Sequence, residues 1–229
     1  MATRRERVRA ETAAQIKDVA RRHLVTGGPG AVSLRAIARD VGMTAPGLYR
    51  YFPSLDDLVR TLVGDLYDEL DACLARARDA LPAEAAGERA IAVCRAFRAW
   101  SVAHPAEFGL LFGSPPLSGD TGALGRQRLG GIFATLFADL WTRYRFPVPA
   151  GLDPGLAAQL DAWRASTGTA APTGAIGVLL GGWVRVYGLV ALEVFGHLRF
   201  VLPDPEPLFE ETLREFAELL GIGEAYRRP

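Results

Sequence analysis

The sequence predicts an all-α protein. Hydrophobic residues recur at three- and four-residue intervals along most of the chain, no alternating strand pattern survives, and Gly, Pro and Ser/Thr/Asp cap signals punctuate the helical stretches. At 229 residues, 49% hydrophobic and 23% charged, the chain suits one large or two small domains with a sizeable core. That balance excludes a disordered polypeptide, and no internal repeat or low-complexity tract is visible.

The elements follow in order. Ile16, Val19, Ala20, His23 and Leu24 form one stripe of a first helix, which Gly27-Gly28-Pro29-Gly30 stops. Ahead of it, Arg4, Arg5, Arg7 and Arg9 read either as a flexible arm along phosphates or the minor groove, or as a solvated, disordered terminus. No apolar stretch follows them, so no secretory signal is expected. Ser33 caps a second helix with the stripe Leu34, Ile37, Ala38 and Val41, and Gly42 breaks it. Thr44 caps a third, very short helix reaching Phe52, whose buried side holds Leu48 and Phe52. Pro53 closes it, and Ser54-Leu55-Asp56-Asp57 supplies a capping box for a fourth helix running toward Ala80.

Beyond residue 80 the elements lengthen. Helices are expected over Ala85–Ala103, briefly after Pro105, and over Leu124–Tyr144, with a loop at Ser114–Thr121. The stretch Phe146–Thr173 is rich in Pro and Gly, although Asp153-Pro154 can start a short helix through Trp163. A long apolar helix covers Gly174–Phe200, and Asp204-Pro205-Glu206 opens a last one that Gly221 ends.

The formal net charge is zero but unevenly spread. Residues 1–60 carry eleven Lys or Arg against six acids, a net +5; the other 169 carry fifteen against twenty, a net −5. A basic head suggests a polyanion partner, although solvated basic faces are common. Two cysteines, Cys73 and Cys94, exclude a disulfide scaffold or a cysteine-rich zinc site and suit a reducing cytoplasm. Arg185, Glu193, His197 and Arg199 interrupt the apolar segment Gly174–Leu202, which therefore reads as a buried or interface helix, with no membrane partner. No phosphate-loop, dinucleotide, nucleophile-elbow or H-E-x-x-H string occurs, and His23, His104 and His197 are scattered, so no enzyme, cofactor or metal site is expected. His23 reads as structural, and the cysteines as small hydrophobes.

Two short helices joined by a tight Gly-containing turn and braced by a third describe a helix-turn-helix. The third helix has one surface wrong for a core: Thr44, Ala45, Pro46, Gly47, Tyr49, Arg50 and Tyr51. Small residues let its backbone approach a duplex, and Ala45 and Pro46 can meet a thymine methyl. Tyr49 and Tyr51 can donate hydroxyls to phosphates, and the helix starts at Ser33 and Thr44 offer N–H groups to phosphate oxygens. Arg50 suits a guanine edge or the backbone.

Residues Ile16–Leu58 closely resemble the DNA-binding domain of the TetR/AcrR family of bacterial regulators. The strings that carry the resemblance are Ser33-Leu-Arg-Ala-Ile-Ala38, Val41-Gly-Met-Thr44 and Gly47-Leu-Tyr-Arg-Tyr-Phe52 followed by Pro53-Ser54. It implies DNA contacts at Ser33, Arg35, Thr44, Ala45, Pro46, Gly47, Tyr49, Arg50 and Tyr51. The position after Ser54 is commonly a phosphate-binding lysine in that family, and here it is Leu55. Farther on, His104-Pro-Ala-Glu-Phe-Gly-Leu-Leu-Phe112 and Trp183-Val-Arg-Val-Tyr-Gly188 resemble a subclass named for a Trp-His-Gly signature, with Tyr187 where that subclass usually has His.

Such regulators pair through two C-terminal helices and take a ligand within each helical bundle. The long apolar helix agrees: it is apolar over too much of its circumference to have one face in water, and Gly174, Gly177, Gly181, Gly182 and Gly188 ask for close approach of another helix. Leu208, Phe209, Leu213, Phe216, Leu219 and Leu220 give the last helix a matching stripe. Ligand-pocket candidates are Trp100, His104, Phe108, Phe112, Phe133, Phe137, Trp141, Trp183 and Tyr187, although aromatic residues at such positions more often simply fill a core. Arg185 and Glu193 stand in apolar surroundings and suit a ligand contact, a subunit interface or an intrachain ion pair.

These readings give a helix-turn-helix DNA-binding domain at 1–57 and a ligand-binding and dimerisation domain at 58–229. The expected protein is a cytoplasmic homodimer, paired through its last two long helices. It represses from a palindromic double-stranded operator and is released by a small, largely apolar inducer. An all-α small-molecule carrier or enzyme with an incidental helix-turn-helix is the alternative.

Overall fold

In the computed structural model, which describes residues 3–113, 121–148 and 151–227, the first helix starts earlier than its apolar stripe. The Thr3 hydroxyl accepts the Glu6 N–H, and the Glu6 carboxylate accepts the Thr3 N–H at 2.7 Å, closing a capping box. Helix α1 (Arg4–Gly27) then runs unbroken. Arg4, Arg5, Arg7 and Arg9 are thus turns of a helix, neither arm nor disordered terminus.

Helix α2 (Leu34–Val41) is capped by Ser33 and ended by Gly42, whose φ of 76° only glycine adopts cheaply. Helix α3 (Ala45–Tyr49) is capped by Thr44. It is shorter than its sequence suggests, because the Tyr51 N–H turns back to the Leu48 carbonyl at 2.8 Å. Helix α4 (Leu55–Asp79) follows, with the Ser54 hydroxyl accepting the Asp57 N–H and donating to its carboxylate. Then come α5 (Ala86–Ala103) and α6 (Pro105–Phe108), the latter continued by one π-helical turn at Gly109–Gly113 that the sequence does not signal.

Helix α7 spans Thr121–Tyr144; apart from Thr121, the expected loop at Ser114–Thr121 lies outside the described residues. Helix α8 (Pro154–Thr167) has its expected Asp153 cap but runs past Trp163, since Arg164, Ala165 and Ser166 contain no breaker. Helix α9 covers Thr173–Val194 and stops short of Phe200, because Gly196 at φ 71° reverses the chain into turns. Helix α10 (Glu206–Leu219) closes the fold. The described residues contain no strand, as an all-α sequence requires.

The chain packs as two compact units, Met1–Glu69 with His104–Arg128, and Leu70–Ala103 with Leu129–Pro229. In the first, Ile16, Leu24, Ile37, Leu48, Leu58 and Leu66 are fully buried. In the second, Leu74, Phe97, Leu179, Val190 and Phe209 are. Among the described residues α9 is the helix long and apolar enough to cross a membrane, a test that core helices also pass.

The second unit is cross-tied by buried charge. Arg95 donates two hydrogen bonds to Glu210, at 2.9 and 2.6 Å, and the Tyr226 hydroxyl donates a third at 2.9 Å. Burial pushes the Glu210 carboxyl up, but the bonds from Arg95 and Tyr226 outweigh it and hold its pKa below the ordinary 4.5. A depressed carboxylate stabilises the fold above its unfolded pKa, and that contribution is lost as pH falls through the folded value. Glu210→Gln is therefore expected to lower stability at pH 7 and to lose less between pH 5 and pH 3 than the parent. Urea midpoints across that range check this; parallel profiles would refute it.

Candidate nucleic-acid interface

The helix-turn-helix is positioned from inside. Leu48 is fully buried and Phe52 nearly so, one turn apart; α3 packs on α2 and α2 on α1, where Ile37, Ala38, Ile16, Val19, Ala20 and Leu24 are buried as well. His23, on that stripe, meets the Asp40 carboxylate at 2.7 Å. The hydrogen bond from His23, then that from Arg39, holds the Asp40 carboxyl below the usual carboxylate range. This brace fixes the crossing of α1 and α2.

With Leu48 inward, the rest of α3 must face outward. Thr44, Pro46, Tyr49 and Arg50 are exposed, Tyr49 to 49%, while Ala45, Gly47 and Tyr51 are half-buried. Ser33 and Arg35 are exposed at the start of α2. All nine candidate DNA contacts therefore lie on two adjoining short helices or in the residues that flank them, within one unit. The Thr44 hydroxyl accepts the Gly47 N–H at 3.3 Å and its carbonyl the Leu48 N–H at 3.1 Å; Pro46 has no N–H, so of the first turn only the Ala45 N–H is left for a phosphate. Tyr51 is covered by Arg9, whose guanidinium lies 5.6 Å from the ring centroid and donates to the Arg50 carbonyl at 3.3 Å. Leu55, half-buried, starts α4 and carries no charge for a phosphate.

The same unit holds His104, Phe108 and Phe112 of the candidate ligand pocket. Phe112 stacks on Phe108 at 4.8 Å and meets Tyr67 edge-on, and His104 lies 3.9 Å from Glu69. His197, in the second unit, lies against Phe195 with ring centroids 6.0 Å apart. Arg21 forks between α4 and α6: it donates to Glu69 at 2.6 and 3.2 Å and to Glu107 at 2.8 Å. Glu107 is only 3% exposed.

The second unit contains an apolar cavity of about 40 Å³ lined by Phe133, Phe137, Trp183, Gly182, Phe216 and Cys94, among others. Trp183 packs on Phe133 at 4.0 Å, on Phe97 at 5.3 Å and on Tyr187 at 5.7 Å. Burial pushes the Tyr187 hydroxyl up, and the Cys94 thiol up to about 12, so Cys94 is an apolar lining group rather than a thiolate. Trp100 is core, and Trp141 packs apart from this cavity, with Phe146 at 5.2 Å. Phe216 was readable as stripe, but nothing in the sequence marked it as lining a cavity. Glu193 pairs with Arg98 at 2.7 Å, and Arg185 is exposed. Among the described residues no group of three His, Cys, Asp or Glu could hold a metal.

The glycines of α9 differ in what a side chain would meet, Gly177 having only ordinary van der Waals contact with Leu152 at 3.4 Å. A Cβ on Gly182 would strike the Phe216 ring at 2.0 Å, and one on Gly174 would strike Val148 at 2.1 Å. Nothing lies within 4 Å of such an atom at Gly181 or Gly188. Close approach within the chain accounts for the first pair, while among the described residues nothing packs against the second.

A buried-core helix-turn-helix with an outward, partly basic third helix, joined to an α-helical body, defines a DNA-binding regulator. Residues 16–62 match the family described as bacterial regulatory proteins, tetR family, and residues 90–216 match the tetracyclin repressor-like C-terminal domain. The transcriptional regulators Mb1846 of Mycobacterium bovis and Rv1816 of Mycobacterium tuberculosis are each 31% identical over 225 residues, 95% of this chain and 96% of theirs. A solved regulatory protein, SCO4313, is 31% identical with a TM-score of 0.71, over 94% of this chain and all of that one. The chain belongs to the TetR family of DNA-binding, helix-turn-helix transcriptional regulators.

Proposed function

We propose that this regulator is a cytoplasmic homodimeric repressor whose two α3 helices enter successive major grooves of a palindromic operator. The observation that carries the reading is the partition of α3 and its caps, with Leu48 buried and Pro46, Tyr49 and the capping residues Thr44 and Arg50 exposed. Ser33, Arg35, Ala45, Gly47 and Tyr51 complete the contact set. Residues 1–57 act as the reading head and 58–229 as the ligand and dimerisation part, with α4 continuous through both.

Dimerisation is assigned to α9 and α10. Leu180, Val184, Gly188 and Leu192 form a row at four-residue intervals on α9, and the described residues leave its three apolar side chains exposed, Val184 to 60%. Leu208 and Leu219 extend it on α10. An uncovered apolar ridge with two open glycines suits the same ridge of a second copy.

The inducer is assigned to the apolar cavity at Trp183, in a domain of the Trp-His-Gly subclass. About 40 Å³ is far below the roughly 300 Å³ of ordinary ligand sites, so an occupant must displace aromatic side chains. That displacement supplies the preference for one state that release from DNA requires.

The test is selection of a duplex from random sequence with the full chain. A preferred site should be bound about a thousandfold more tightly than arbitrary duplex. Tyr49→Phe should weaken both alike, by the loss of one phosphate contact, and leave base preference intact. No preferred sequence, or a changed preference in Tyr49→Phe, would contradict the assignment.

A further inference from the structure

The first turns of α1 and the end of α3 enclose an open cleft of about 620 Å³, lined by Arg4, Arg5, Val8, Arg9, Met43, Gly47, Arg50 and Tyr51. Four of these eight are arginines and none is acidic. The neighbouring carboxylate, Glu6, is engaged by the Thr3 cap, and no ion pair reaches any of the four arginines among the described residues. Arg9 ties the two walls together through the Tyr51 ring and the Arg50 carbonyl. Arg4 and Arg5 are exposed on the opposite wall.

Clustered guanidinium groups without a counter-charge repel one another, and Arg4 and Arg5 sit in the first turn of α1, at the positive end of its dipole, where cations are disfavoured. A polyanion relieves both. One wall of the cleft is α3 and the turn that follows it, through Gly47, Arg50 and Tyr51, so a duplex lying on α3 carries its sugar-phosphate strand past the cleft mouth. We infer that Arg4 and Arg5, presented by a rigid helix and aligned through Arg9, form a second phosphate-binding surface for the strand flanking the base pairs read by α3. The inference rests on the DNA-binding reading of α3. It also places basic charge next to the head, whereas Leu55 leaves the start of α4 without any.

The experiment measures binding of the full chain to a 30-base-pair duplex of arbitrary sequence across a salt series. Each lost phosphate contact lowers the slope of log affinity against log salt by about 0.9. Arg4→Gln with Arg5→Gln should therefore reduce it by about 1.8, so that raising salt from 50 to 200 mM costs the variant about 12-fold less affinity than the parent. Arg7→Gln, which removes a charge that does not line the cleft, should leave the slope unchanged. Circular dichroism shows whether α1 is intact, and removing cations from a helix N-terminus should not weaken it. An unchanged slope in the double variant, or an equal drop per charge in Arg7→Gln, overturns the inference and leaves α3 standing as the reader. A parent protein without salt-dependent duplex binding overturns the DNA reading itself.

Discussion

Trp183→Ala is expected to cost about 3 kcal/mol of stability, the low end of what truncating a packed indole costs. The ring is not fully buried, but it is the centre of the aromatic cluster of the second unit, with Phe133 at 4.0 Å, Phe97 at 5.3 Å and Tyr187 at 5.7 Å. Removing it strips partners from all three and opens their faces onto an existing cavity that already holds about 40 Å³. At an m-value of roughly 2 kcal/mol per molar urea, the unfolding midpoint should fall by about 1.5 M. The enlarged cavity is apolar, so indole or benzene should bind it and raise the variant's melting temperature while leaving the parent's unchanged. Trp183→Phe should recover most of the loss. A midpoint that does not move would mean that these ring contacts carry no weight in the folded protein.

The helix-turn-helix was legible because its signals are local. Ser33, Gly42 and Thr44 are caps whose partners lie within four residues, and Leu48 and Phe52 declare a buried face one turn apart. The capping box Thr3-Arg-Arg-Glu6 was equally local, but the run of arginines read more loudly as a tail. Gly196 likewise marked the end of α9, outweighed by the apolar residues on either side. What the sequence could not display were the long-range ties. Arg21 meets Glu107 from 86 positions away, and Arg98 meets Glu193 from 95. Nothing in the residue types separates Gly182, which accommodates the Phe216 ring, from its neighbour Gly181, which meets nothing. The 100° turn between adjacent helical residues sends the two to different faces, and only packing decides which face is covered. For the same reason the aromatic residues formed one roster in the sequence but part company in space. Phe133, Phe137 and Trp183 share a cavity, while Phe108 and Phe112 belong to the unit that carries the reading head.

Arg21→Leu should destabilise the unit that carries the helix-turn-helix by about 3 kcal/mol, because it strands a charge rather than merely deleting a bond. Glu107 is almost completely buried, and among its described partners Arg21 is the cation that neutralises it, at 2.8 Å. The same guanidinium is shared with Glu69, and the bond to Glu69 holds Arg21 protonated well above its ordinary range. Glu69 is more exposed and lies within 3.9 Å of His104, so water and the imidazole can take over part of its demand. The decisive comparison is the double variant Arg21→Leu with Glu107→Gln, which removes both the cation and the buried anion. Most of the lost stability should return, giving a coupling energy of about 2 kcal/mol in the double-mutant cycle. Additive losses would show that Arg21 acts through Glu69 or through packing of its stem alone. Duplex binding supplies an independent check, since α1, with Ile16, Val19, Ala20 and Leu24 buried, packs on α2, and α2 on α3. Under conditions where the single variant is still folded, its affinity for duplex should match that of the parent, because Arg21 faces α4 and α6 and not the outward surface of α3.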